Sequence, residues 1–174
     1  KQNLPFGNKR YRHFDFIAKL LLIEERDIVV DTKKIHLDDF VRRRKRMTQK
    51  SADKLGSAAS VVLSKMAAIF TNKDPLLRSI GTLILYYHVF RIAMSDGWFN
   101  EIRRAKLAKF ETLRERNRKK AEQDISTAEY DLLTYDSYVQ TPNDSHAIST
   151  RLEILLDRVF ERELSPDYKR PISK

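Results

Sequence analysis

The chain has 174 residues, 34 Lys/Arg against 24 Asp/Glu, a formal charge of +10 and no cysteine. Disulfides, thiolate catalysis and cysteine-ligated zinc are thereby excluded, and a cytoplasmic setting is expected. With 41% hydrophobic and 33% charged residues but only 4 Gly and 5 Pro, the composition favours long helices with charged outer faces over a turn-rich β architecture.

Residues 1–10 read as irregular, because Pro5 and Gly7 interrupt any helix. A first helix is expected over 11–26, with Phe14, Ile17 and Leu21 on its inner face. Ile28, Val29 and Val30 form a β-branched run that can pair with 35–37 as a short hairpin. A second helix follows over 37–47 and turns Leu37 and Phe40 inward. A third covers 51–72, where Leu55, Ala59, Val62, Met66 and Ile69 recur at helical spacing. Residues 72–75 form a turn, and 76–94 make the most apolar helix, expected at the centre. Ser79 to Phe90 is its longest charge-free stretch, too short for the roughly 20 residues that cross a bilayer. A fifth helix over 98–123 has an apolar stripe that ends at Leu113, so its second half is expected to project into solvent or cover a partner. Helices over 127–138 and 145–163 complete the set. The expectation is an all-α, single helical domain of about seven helices over 11–164, with a tail at 165–174. Its core should hold Phe14, Ile17, Leu21, Val62, Met66, Ile84, Tyr87, Phe110, Leu152 and Leu155.

Charge is unevenly distributed along this framework. Residues 1–50 hold 14 Lys/Arg against 7 Asp/Glu, 103–120 hold 9 against 2, and 121–164 hold 3 against 10. The run Arg42, Arg43, Arg44, Lys45 and Arg46 surrounds a helix on every side, so some of its charges must be unpaired. The second basic stretch contributes Arg103, Arg104, Lys106, Arg114, Arg118 and Lys119. Such clusters attract phosphate backbones by counterion release. These eleven residues are the candidate nucleic-acid contacts, with DNA as the expected partner. The plain alternatives are a solvated helix face, a nuclear-localisation signal at 42–46, or pairing of 103–120 with the acidic segment after it.

Catalytic signatures are missing. Gly7, Gly56, Gly81 and Gly97 are scattered, so no phosphate-cradling loop or dinucleotide fingerprint is present. No Ser lies in a Gly-x-Ser-x-Gly elbow. The histidines, His13, His36, His88 and His146, show no i, i+4 pair, so no metal site is written locally. His88 belongs to the apolar helix and reads as a hydrogen-bonded core residue. His13 and Asp15 could join Arg151 in a composite site, or simply start a helix in water. The isolated chain is expected to be non-catalytic and to hold no cofactor. A free-standing nucleic-acid-binding protein and a protein-interaction scaffold are the alternative readings.

Three stretches are similar to a known family: Arg10 to Leu21, Phe110 to Lys120, and Gln140 to Leu155, the last with Asn143 and Arg151. Together they resemble the helical second half of the ParB-like domain of GmrSD-type, modification-dependent restriction systems. The matching positions are Arg10, Asp15, Asn143 and Arg151, while Lys19 stands where the family carries a second Arg. That substitution keeps the charge but loses the bidentate fork. The resemblance implies a part of a restriction or phage-defence protein. The family's Asp-Gly-Gln-Gln-Arg run and His-Asn-His segment are absent here. Nucleotide and divalent-metal chemistry would then belong to an N-terminal NTPase half or a partner subunit, and the parent protein would be a nucleotide-dependent endonuclease. Because the chain opens on Lys1 rather than Met, it is expected to be a piece of a longer protein.

Overall fold

The computed structural model describes residues 4–7 and 9–169, apart from the side chain of Arg10. Among the described residues the fold is all helical: α1 (Arg12–Arg26), α2 (Lys34–Arg44), α3 (Gln49–Ile69), α4 (Ile80–Ser95), α5 (Arg104–Gln123), α6 (Tyr130–Ser137), α7 (Ser145–Phe160) and α8 (Pro166–Lys169). Short 3-10 turns precede α1, α4, α5, α6 and α7. Among the described residues no helix is long and apolar enough to cross a membrane.

The most apolar helix lies where its composition puts it. Every residue from Leu83 to Phe90 is buried, and α4 packs against α1, α3 and α7. Such a helix, hydrophobic on all sides, has nowhere stable to go except the centre. Ser79 caps it by accepting from the Thr82 amide at 3.1 Å. Gly81 lets its first turn approach the loop before α7, where a Cβ would fall 2.5 Å from the Cβ of Pro142. Trp98, Phe110, Tyr135, Leu152, Leu155 and Phe160 extend the same core across α5, α6 and α7. α2 stands apart on α1, held through a small cluster of Leu22, Leu37 and Phe40.

Four expectations need correction. Phe14 and Ile17 are exposed, not core, and Leu21 is only partly buried. The inner face of α1 is Phe16, Lys19, Leu20 and Ile23. That face repeats at helical spacing as well as the expected one, but the charge on Lys19 disguises it. There is no hairpin at 28–37, because Val29 donates to the Tyr168 carbonyl of α8 (3.0 Å) and Thr32 to the Asn143 carbonyl in the turn before α7 (2.9 Å), neither of them a strand. α2 begins at Lys34, three residues before the expected start. The second half of α5 does not project into solvent: Arg114 and Asn117 are buried, and Asn117 donates to the Glu129 carbonyl (2.9 Å) and accepts from its amide (2.8 Å) at the start of α6.

The tail is also part of the core. Tyr168 of α8 lies edge-on to His88, and its hydroxyl meets His88 Nδ1 at 2.9 Å. Arg91 donates to the same hydroxyl at 3.2 Å and reaches Glu24 at 2.9 Å, while Tyr87 donates to Glu24 at 2.5 Å. Complete burial, reinforced by the Arg91 charge, lowers the His88 pKa to about 3. The unfolded chain takes up a proton near pH 6.5 that the folded chain refuses. His88 therefore destabilises the fold as pH falls from about 6.5 toward 3, by at most about 1.4 kcal/mol per pH unit. Urea unfolding followed by circular dichroism should show stability declining over this range, and His88→Leu should flatten the slope while lowering stability at pH 7 through loss of the Tyr168 contact.

Candidate nucleic-acid interface

The elbow between α2 and α3 holds the larger group of unpaired cations. Around α2, side chains point in different directions and meet different fates. Arg43 is caught by Asp39 one turn earlier (Nε to Oδ2, 2.8 Å) and approaches Glu25 of α1 at 3.7 Å. Arg44 also ion-pairs with Glu25. Arg42, Lys45 and Arg46 point outward, and among the described residues no carboxylate pairs with them. The chain turns at 45–48, where the Thr48 side chain accepts from the Ser51 amide at 3.3 Å and starts α3. Lys50 and Lys54, one turn apart on α3, are likewise exposed and without a carboxylate partner among the described residues. Five cations from two helices thus border one corner, where phosphate could exchange for loosely held counterions.

The other candidate stretch is mostly committed elsewhere. Arg104 grips Asp74 with two hydrogen bonds of 2.6 and 3.0 Å. Asp74 also accepts from the Thr71 and Leu76 amides, and although burial pushes its pKa upward, these donors outweigh it and hold it at about 2. Arg114 is buried over the Tyr135 ring (4.1 Å) and bonded to Glu111 and Asp136, so it is not accessible to a phosphate. Arg118 bonds Asp136 at 3.0 Å, and Lys119 pairs with Glu115 at 3.1 Å. Arg103 donates to the carbonyls of Asn100 and Ile102. Lys106 is exposed over the Phe160 ring, 5.4 Å away. Among the described residues Lys106 has no carboxylate partner either, and α5 adds three further cations without one, Lys109, Arg116 and Lys120. These three, with Lys50 and Lys54, escaped the sequence reading. A signal existed for Lys54, Lys109 and Arg116, which have no acid three or four positions away to neutralise them.

Three of the resemblance positions come together. Lys19 is 6% exposed, ion-pairs with Asp15 at 2.9 Å and donates to the Asn143 side-chain oxygen at 2.9 Å. Thr32 shares that oxygen at 3.3 Å. Beside it, Asp31 accepts from the Ser145 amide at 3.1 Å, and Lys33 bonds Asp144 at 2.6 Å. Residues 31–33 are thereby stitched to 143–145. Arg151 lies apart, 2% exposed, with its guanidinium 4.9 Å from the Tyr135 ring and its Nε without a hydrogen-bond partner. The side chain of Arg10 falls outside the described residues. His13 meets the Phe6 carbonyl at 3.4 Å, so His13, Asp15 and Arg151 have different partners. Among the described residues, no group of three or more His, Asp or Glu is arranged to hold a metal.

Two clefts border α1 on different faces. An apolar cavity of about 680 Å³ lies between residues 4–7, α1 and α3, next to the exposed Tyr11, Phe14 and Ile17. A more polar cleft of about 550 Å³ lies between α1, α2 and residues 28–31. Asn143 joins all three parts of the polar seam. Asn143→Ala should leave the buried Lys19 ammonium one acceptor short and lower unfolding stability by about 1–3 kcal/mol, measured by urea denaturation. Comparisons with protein-family models, with curated proteins and with solved structures return no match for this chain.

Proposed function

We propose that this chain is the helical, non-catalytic part of a GmrSD-like restriction or phage-defence protein, and that it grips nucleic acid through the α2–α3 elbow. The observation that carries the binding reading is the set Arg42, Lys45, Arg46, Lys50 and Lys54, exposed on α2, the turn after it and α3, with no carboxylate partner among the described residues. Unpaired cations release counterions from a phosphate backbone at little desolvation cost, whereas paired ones must first give up their partner. DNA is the favoured partner because the resemblance points to a DNA-directed system. The meeting of Asp15, Lys19 and Asn143 across 124 positions supports treating the resemblance positions as one unit. Nucleotide hydrolysis, the divalent metal and strand cleavage are assigned to an NTPase half or partner subunit beyond these residues.

A second reading, a protein-docking scaffold, has one observation in its favour. Tyr11, Phe14 and Ile17 are 74%, 65% and 48% exposed along one face of α1, an apolar stripe that water disfavours.

The two readings separate cleanly. Arg42→Glu, Lys45→Glu and Arg46→Glu combined should weaken binding of a fluorescein-labelled DNA duplex at least tenfold and reduce the slope of log affinity against log salt by about 2–3. Lys119→Glu, at a paired position, should change little. Unchanged affinity in the triple variant would remove the elbow as the contact surface. A scaffold would instead self-associate or capture the other half through α1, and Phe14→Ser should then shift its sedimentation toward the monomer.

A further inference from the structure

The apolar cavity of about 680 Å³ has a buried floor and an exposed mouth. Phe16, Met66, Phe70, Leu77 and Leu83 are the buried part of its lining, supplied by α1, the end of α3, the turn before α4 and α4 itself. Pro5, Gly7, Ile17 and Lys73 also line it and are exposed, which places the mouth among them. Arg12 stacks on the Phe6 ring at 4.2 Å, and His13 meets the Phe6 carbonyl at 3.4 Å, so residues 4–7 are held against α1 as the outer wall. The volume lies within the range of roughly 300–1,000 Å³ usual for small-molecule sites. Water in such a space finds few polar partners, and an apolar body displaces it favourably.

Charge at the mouth has one sign. Among the described residues, His13 and Lys73 are the ionisable groups of the lining, and no carboxylate belongs to it. Lys73 is exposed and has no carboxylate partner among the described residues. Its backbone lies in the left-handed region, with φ at 49°, where glycine or asparagine fits with less strain. The neighbouring residue fixes this turn: Asp74 accepts from the Thr71 amide at 2.8 Å and hydroxyl at 2.9 Å, and Arg104 grips it from α5. The chain thus carries a lysine where backbone geometry alone favours glycine, on the edge of an apolar space.

We propose that this cavity binds an amphiphilic monoanion, an acyl chain ending in a carboxylate, with the chain among Phe16, Met66, Phe70 and Leu77 and the head group at the Lys73 ammonium. The site is separate from the basic elbow and does not depend on it. Met66 is unbranched and polarisable, and it can follow the shape of a flexible chain. A cationic amphiphile finds no acceptor at the mouth and meets Lys73 as a like charge. A small anion without a tail gains nothing from the walls. An exposed lysine contributes modestly to affinity, so the walls supply most of the binding and the lysine selects the sign.

Isothermal titration calorimetry with dodecanoate, dodecyltrimethylammonium and acetate, the two amphiphiles below their micelle concentrations, tests the site. The wild-type chain should take up one dodecanoate, about tenfold more tightly than dodecyltrimethylammonium, and give no binding heat with acetate. Lys73→Gly relieves the left-handed backbone, so it should fold at least as stably in urea while binding dodecanoate about threefold more weakly. Lys73→Glu should reverse the preference between the two amphiphiles. Lys119→Glu makes the same charge change elsewhere and should leave the preference intact, which separates the site from the general attraction of a basic surface. Ala67→Phe, with a helical circular dichroism spectrum like wild type, should fill the cavity and abolish binding of both. Dodecanoate bound at many sites per chain, or with an affinity that Lys73→Glu leaves unchanged, would overturn the proposal. So would a chain that ignores dodecanoate yet sediments with phosphatidylglycerol vesicles, a result that assigns this face to a lipid surface.

Discussion

The position of the basic elbow depends on a short polar seam. α2 touches the body of the fold by packing Leu37 and Phe40 against Leu22 of α1, and through the ion pairs of Glu25 with Arg43 and Arg44. What fixes its approach is the stitching of 31–33 to 143–145, centred on the Lys19 ammonium held between Asp15 and Asn143. A buried ammonium is costly unless it is paired and hydrogen-bonded, so this contact has one favourable geometry and transmits it to the segment entering α2. The seam thus links a position early in α1, the extended segment and the cap of α7.

Pairing divides both basic stretches, leaving some cations in each without a carboxylate partner among the described residues. Residues 103–120 hold more Lys and Arg than 42–46, yet Asp136 of α6 takes Arg114 and Arg118, Asp74 takes Arg104, and Glu115 takes Lys119. Pairing with the acidic segment after it is thus realised for Arg114 and Arg118, whereas Arg104 and Lys119 are held by Asp74 and Glu115. An exposed ion pair contributes only about 0–1 kcal/mol to stability, but it still neutralises the field that a phosphate would sense. The run at 42–46 escapes because Glu25 and Asp39 reach only Arg43 and Arg44.

Much of the fold was legible in the sequence where one signal acted alone. The apolar run of α4 and the helical spacing of Val62, Met66, Leu152 and Leu155 point one way, and the structure agrees. The reading failed where a polar residue is buried. Lys19 on α1 and Arg114 on α5 carry charges that mark a face as outward; each has a local acid, Asp15 or Glu111, but the partner that completes its buried set, Asn143 or Asp136, is more than twenty positions away. Local periodicity contains no trace of such partners. The same holds for Ile28 to Val30, whose β-branched run meets Tyr168 and not a strand. For the candidate interface, the elbow was visible as a run of charge, but which of its members are free depends on Glu25, a residue on another helix.

The clasp made by α8 has a consequence for the integrity of the molecule. Tyr168 bonds Val29 and His88 and stacks beside Arg91, and Lys169 borders the polar cleft. A proteolytic nick after Leu164 would therefore do more than trim a terminus: it would uncover a neutral imidazole and a guanidinium in the interior, slacken the backbone at Val29, and dismantle one wall of the cleft.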